Sequence, residues 1–346
     1  MDNSTLKNIF DFLEKKENKK NKNKATLRWK LFFNQPLTKE ELNVSGNLDL
    51  ANLKSLPEGL EVGGDLKLSN CTNLTSLPKG LKVGGSLYLT NCTSLTSIPA
   101  GLKVNGSLFL DNCTSLTSLP EGFKVNDSLH LTNCTSLTSL PEGLEVGHSL
   151  HLTNCASLAS LPQEFKFGGD FNLTENLKIK YLPEGLKFKY NLILKKTSIE
   201  FLPKGLKVGG FLDLSNCKRL TSLPEGLKVG GSLDLYNTKI KSLPNGLEVG
   251  DNLDLRNCKS LTSLPKGLKV GENLELINCT SLTSLPEGLE VGWYLSLQNC
   301  TSLTSLPKGL KVGGGLNIYK TELTNYTNSK LKKMIQPGFI KGDIIR

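Results

Sequence analysis

Aromatic residues are scarce in this chain of 346 residues. They make up 6% of it, with only two Trp, and there are two Met and three His. A core filled by large rings is therefore excluded, and Leu must carry most of the apolar packing. No stretch approaches the roughly 18 consecutive apolar residues that a membrane-crossing helix needs. The first residues lack the unbroken apolar centre of a secretory leader; Leu6, Ile9, Phe10 and Leu13 follow helical spacing instead, which predicts an amphipathic helix. Cysteine is present nine times, but never as a Cys-x-x-Cys pair, so the usual thiolate metal signature is missing. Also missing are a phosphate-cradling glycine loop with its lysine and a nucleophile elbow. The expectation is a chain that is not an enzyme and has no cofactor and no metal.

Charge is present but unevenly placed. The formal net charge is +10, yet residues 1–45 hold ten Lys/Arg against six Asp/Glu, and residues 320–346 hold six against two. The long middle is nearly neutral, so the basic balance belongs to the ends. The tract Lys15–Lys24 reads as a charged linker rather than a nucleic-acid arm. These features speak against a nucleic-acid partner.

What the sequence has in abundance is repetition. Proline recurs from Pro57 to Pro307 in steps of 21 residues, except for steps of 20 ending at Pro203 and Pro244. In the unit that begins at Leu81, Leu87 and Leu89 lie two apart, so both side chains fall on one face of a short strand and Tyr88 falls on the other. Gly84 and Gly85 permit a tight turn before that strand. Pro99 fixes an extended return path. The return is too short and too rich in Pro and Gly for a regular helix, so extended or polyproline-like backbone is expected on the outer side. One unit offers about seven apolar residues, each worth roughly 1.5–3 kcal/mol when fully buried. Ordering costs about 1–2 kcal/mol per residue, so a single unit would not fold and stacking is obligatory.

The pattern Leu-x-Leu-x-x-Cys-x-x-Leu resembles the leucine-rich repeats. Leu214-Ser-Asn-Cys217-Lys-Arg-Leu220 is its longer form. Leu194-Lys-Lys-Thr197-Ser-Ile199 and Leu235-Tyr-Asn-Thr238-Lys-Ile240 are its shorter form, and the missing residue accounts for both 20-residue steps. The segment Leu223-Pro-Glu-Gly-Leu227 is similar to the short-repeat class of bacterial effector proteins that act inside host cells, although Gly-Gly before the strand departs from that class. The resemblance covers roughly residues 42–325. It implies a leucine-rich-repeat solenoid, a horseshoe or superhelix with a parallel β-sheet on the concave face and a helical N-terminal cap. The organisation expected is a cap with a Lys/Asn-rich stretch over 1–45, about 13 coils over 46–323, and a C-terminal cap over 324–346 in which Leu331, Met334 and Ile335 show helical spacing.

Candidate residues follow from the columns that stacking creates. Cys71, Cys92, Cys113, Cys134, Cys155, Cys217, Cys258, Cys279 and Cys300 share one position, predicted to face inward as a structural ladder. Their odd number and identical placement argue against paired disulfides and for a soluble chain in a reducing compartment, the cytoplasm or a host cytoplasm. Glycosylation sequons at Asn70, Asn91, Asn112 and Asn133 sit beside that ladder, where sugars would crowd the turns. The residue between the two strand leucines should project into solvent. Tyr88, Phe109, His130 and His151 form a ringed block in this column, and Asp213, Asp234, Asp254 and Glu275 an acidic one. Exposed rings suit binding hot spots, but cross-strand stacking would also explain them. Four adjacent carboxylates should repel by roughly 0.8 kcal/mol per pair in water unless a basic partner neutralises them, or unless they splay outward. A second column, including Glu61, Lys82, Lys103, Lys124 and Glu145, reads as a solvated mixed-charge rim. Between Pro162 and Pro203, Phe165, Phe167 and Phe171 replace the usual Leu and Val and the Cys ladder lapses, which predicts a change of twist or curvature.

Two functions fit this surface. The first is a protein-binding module that uses the concave face, the eight ringed and acidic residues meeting a partner with a basic surface. The alternative is a surface or phage-associated structural protein recognising a glycan or receptor.

Overall fold

A computed structural model describes residues 27–31, 33 and 35–346. The predicted helix around Leu6 to Leu13 and the tract Lys15–Lys24 lie outside the described residues, as does Phe32. The chain is a parallel β-solenoid of about 13 turns in which each repeat of about 21 residues is one coil. It forms two compact units. One runs to Ser157 and takes in Glu164–Phe167; the other comprises Leu158–Gln163 and Gly168–Arg346.

Each regular coil carries two strands of two residues. In the coil that begins at Leu81 these are Lys82–Val83 and Leu87–Tyr88. Strands this short have no stability of their own. They persist because each pairs in parallel with its equivalents one repeat before and after, Tyr88 with Lys67 and with Phe109. In the first unit, Leu48–Asp49 to Leu150–His151 stack in this way. In the second, Phe171–Asn172 to Leu316–Asn317 do so, and Ile344–Ile345 adds a final strand. The Lys–Val segments are extended, one of the two paths expected of the return, and they also pair with their neighbours. They form further parallel strands, such as Glu61–Val62 beside Lys82–Val83, because their backbone N–H groups also find carbonyls in the neighbouring coil.

The core is a set of columns. In the same coil, Leu81, Val83, Leu87, Leu89, Cys92, Leu95 and Ile98 are all buried, which matches the seven apolar positions counted from the repeat. The Gly-Gly bend has a packing cause. A Cβ added at Gly84 or Gly230 would run into the carbonyl oxygen of Gly63 or Gly209 in the preceding coil. The turn after the second strand needs a left-handed residue, and Asn91, Asn112 and Asn133 supply it at φ of 63°, 61° and 60°. The same asparagines are joined side chain to side chain. Asn91 Nδ2 donates to Asn70 Oδ1, Asn112 to Asn91 and Asn133 to Asn112, each at 2.8 Å. Just before the second strand, a polar side chain receives a backbone N–H from the next coil, as when Ser128 N donates to Ser107 Oγ or Asn273 N to Asn252 Oδ1.

The interruption appears as a change of strand content. In the second unit, Lys–Val strands begin only at Lys207–Val208, and Phe188 makes a lone bridge to Val208. Phe171 is fully buried, its ring 6.2 Å from that of Phe188. Near the C-terminus, Thr327 caps helix α1 (Asn328–Met334) by accepting from Lys330 N, and Leu331 and Ile335 are buried. Phe339–Ile340 then extends the Lys–Val sheet.

Candidate functional site

The column between the strand leucines is held in register by backbone pairing. Tyr88 pairs with Phe109, Phe109 with His130 and His130 with His151; Asp213 pairs with Asp234, Asp234 with Asp254 and Asp254 with Glu275. All eight residues thus lie on the strand face, four in each unit.

The ringed block is one continuous stack. Ring centroids are 4.7 Å apart for Tyr88 and Phe109, 4.5 Å for Phe109 and His130, and 4.6 Å for His130 and His151, with planes within 5°, 21° and 19° of parallel. Lys67 Nζ closes one end, 5.7 Å from the Tyr88 centroid. Stacking covers ring faces, so the four side chains are half-buried and present their edges to solvent. Burial, and then the neighbouring His151, hold His130 below its ordinary pKa.

The acidic block is built differently. Asp213 does not project into solvent: it is 8% exposed, and its Oδ1 accepts the backbone N–H of Ser215 at 2.8 Å. Asp234 accepts from Tyr236 N at 2.8 Å and Asp254 from Arg256 N at 2.9 Å. Asn172 and Asn317 make the same contact with Thr174 and Tyr319. A carbonyl-type oxygen here closes a turn two residues on, which favours Asp and Asn at this position whatever their charge does. The row also contains its own counter-ion. Arg256 Nε donates to both oxygens of Asp254, at 3.0 and 2.9 Å, and its guanidinium lies 5.6 Å from the Tyr236 ring centre. Burial pushes the Asp234 carboxyl up to about 6, outweighing its backbone hydrogen bond, and Asp254 and Asp213 push it the same way. Glu275 is raised too, again by burial first. The splayed, fully solvated carboxylates considered from the sequence are not what forms.

The nine cysteines are buried free thiols. Eight of them donate to a carbonyl one coil back, for example Cys92 Sγ to Leu68 O at 3.2 Å and Cys300 Sγ to Leu276 O at 3.0 Å; Cys71 has a longer contact of 3.6 Å to Leu50 O. In the short coils Thr197 and Thr238 replace the thiol and turn back to their own Leu194 and Leu235 carbonyls. Burial pushes the Cys92, Cys113, Cys155 and Cys300 thiols up to about 12, which removes thiolate chemistry near neutral pH. Among the described residues no group of three or more His, Cys, Asp and Glu could hold a metal ion. The rim column pairs within itself: Glu145 lies 2.7 Å from Lys124 and 3.8 Å from Lys166, and Glu290 lies 3.0 Å from Lys269 and 2.9 Å from Lys311. No helix among the described residues is long and apolar enough to cross a membrane.

Sequence reasoning missed the turn-closing work of the Asp column and the asparagine ladder. The signal for the first was the exchange of Asp with Asn at 172 and 317; for the second it was Asn before nearly every ladder residue. No family model matches the chain, and no curated protein matches it.

Proposed function

We propose that the chain is a non-catalytic protein-binding module of leucine-rich-repeat type, with the strand face as its contact surface. Tyr88, Phe109, His130 and His151 serve as the apolar anchor, and Asp234, Asp254 and Glu275 engage basic groups of the partner. The observation that carries this reading is the register-locked column itself, which places ring edges in one unit and carboxylates in the other on backbone that cannot slip. A preformed surface loses little conformational entropy on binding. Burial of every thiol as a neutral hydrogen-bond donor supports a reducing compartment, and the Leu-Pro-x-x-Leu repeat supports a bacterial effector working in host cytoplasm.

The test is affinity capture from cytosolic extracts with the native chain and with Asp234→Asn, Asp254→Asn and Glu275→Gln combined. At Asp234 and Asp254 the amide keeps an oxygen for the turn while removing charge, whereas Lys would break the turn as well. A basic partner retained by the native chain and lost by the variant supports the reading. A partner held equally by both removes the acidic block from it, and capture only of glycans or cell-surface receptors replaces it with the structural, receptor-binding alternative.

A further inference from the structure

Away from the strand face, the segment that follows the ladder residue is nearly invariant in most coils. It reads Thr93-Ser-Leu-Thr-Ser97, Thr114-Ser-Leu-Thr-Ser118, Thr135-Ser-Leu-Thr-Ser139, Thr280-Ser-Leu-Thr-Ser284 and Thr301-Ser-Leu-Thr-Ser305. Over five consecutive coils of the second unit it changes character. Tyr181 and Phe201 appear at a position that is Ser in the other coils, and Leu177 at one that is Thr in the invariant coils, with Lys178, Lys180, Lys218, Arg219, Lys239, Lys241 and Lys259 around them and Glu200 the only acid in these segments. These apolar groups are not core. Leu177 is 66% exposed, Tyr181 55% and Phe201 58%. Neighbouring coils are held together here by Glu200 N donating to Lys180 O at 3.0 Å and Lys241 N to Thr221 O at 3.3 Å, so the substitutions form one patch.

Its geometry is specific. The Tyr181 and Phe201 rings are parallel within 3°, with centroids 6.3 Å apart. The next residue in their column is Ser222, too small to cover the outer face of Phe201. Glu200 is occupied by Arg219 at 3.0 Å and Lys180 at 3.6 Å. Lys178, Lys239, Lys241 and Lys259 have no ion-pair partner among the described residues. With coils about 4.8 Å apart, the five span roughly 19 Å, a strip of cations with a flat aromatic platform towards one end.

We propose that this patch binds single-stranded nucleic acid. Parallel exposed rings with an open face accept stacked bases, and an unpaired lysine row accepts the phosphates that follow; stacking plus a basic track is how sequence-tolerant single-strand sites work. An acidic peptide would use the cations but has no need of parallel ring planes. The overall charge balance, which spoke against nucleic acid, averages this strip with coils whose Lys and Glu nearly cancel.

The test is fluorescence anisotropy of the full chain with a labelled oligothymidylate of about 15 nucleotides. Polyglutamate and anionic phosphatidylserine vesicles serve as competitors. The expected result is binding whose logarithm falls with the logarithm of salt. Tyr181→Ser with Phe201→Ser, which installs the residue the other coils carry, should weaken it at least about tenfold with an unchanged circular dichroism spectrum. Lys239→Thr with Lys241→Thr should reduce the salt slope by about 1.4. Absence of oligonucleotide binding overturns the proposal, as does full affinity in the double-Ser variant. Tighter binding of polyglutamate or of vesicles overturns it in favour of an acidic protein or a membrane surface.

Discussion

One strand position carries stacked rings in the first unit and carboxylates in the second, on the same backbone. The rings of Tyr88, Phe109, His130 and His151 interact with one another across coils, 4.5–4.7 Å apart. The carboxylates of Asp213, Asp234 and Asp254 interact mainly within their own coil, each closing the turn two residues on. The ringed block is therefore coupled along the solenoid by ring contact, whereas the acidic block is hydrogen-bonded coil by coil and linked across coils only through charge. In these two blocks, side chains join from coil to coil where they satisfy each other, and stay within the coil where their own backbone offers the better partner.

The largest test of that difference is Phe109→Ala. It removes a half-buried ring with a neighbour on each side, and should cost about 2–4 kcal/mol in urea denaturation. A double-mutant cycle with His130→Ala should show coupling of at least about 0.5 kcal/mol; an additive result would mean that the stack is only proximity. Next is Asp213→Ala, which strands the Ser215 N–H and should cost about 1–3 kcal/mol, while Asp213→Asn, keeping the acceptor as Asn172 does, should cost less than about 1 kcal/mol. Equal losses for the two would show that charge, not turn closure, matters there.

The third test is pH, where the two blocks have opposite signs. The Asp234 carboxyl is raised from 3.8 to about 6, so between those values the folded chain holds a proton that the unfolded chain has lost. Its contribution is full below about pH 4 and fades as pH rises to 6; for a half-buried group it is on the order of 1–2 kcal/mol after solvent screening. His130 lies below 6.5 when folded, so its contribution is full above that pH and fades on acidification. Asp234→Asn should remove the first slope and His130→Phe the second, read from denaturation midpoints between pH 4 and pH 7.5. The smallest effect is expected from Arg256→Ala. Losing the cation should raise the Asp234 and Glu275 pKa values further, seen by carboxyl carbon NMR, with little change in melting temperature.

Much of the fold was legible from the sequence. Leu87 and Leu89 gave the strand face and its partner column, Pro57 to Pro307 gave the coil length, and Cys92 and its equivalents gave the buried ladder. The Lys82–Val83 strands were not legible. Two residues flanked by Gly and Pro have no strand signal of their own, and only pairing with the adjacent coil makes them strands. Asn91 read as a glycosylation signal, because neither its φ of 63° nor its hydrogen bond to Asn70 exists until coils stack. The column of Asp213 to Glu275 was legible as a row, but its burial was not, since turn closure depends on where the backbone N–H two residues on points.

Hydroxyl-radical footprinting of the chain bound to its captured protein partner decides whether the strand face is the contact surface. Protection is expected at Tyr88, Phe109, His130 and His151, with Tyr181 and Phe201 still reactive. Unchanged oxidation of the four stacked rings in a complex that protects other surfaces would contradict that role.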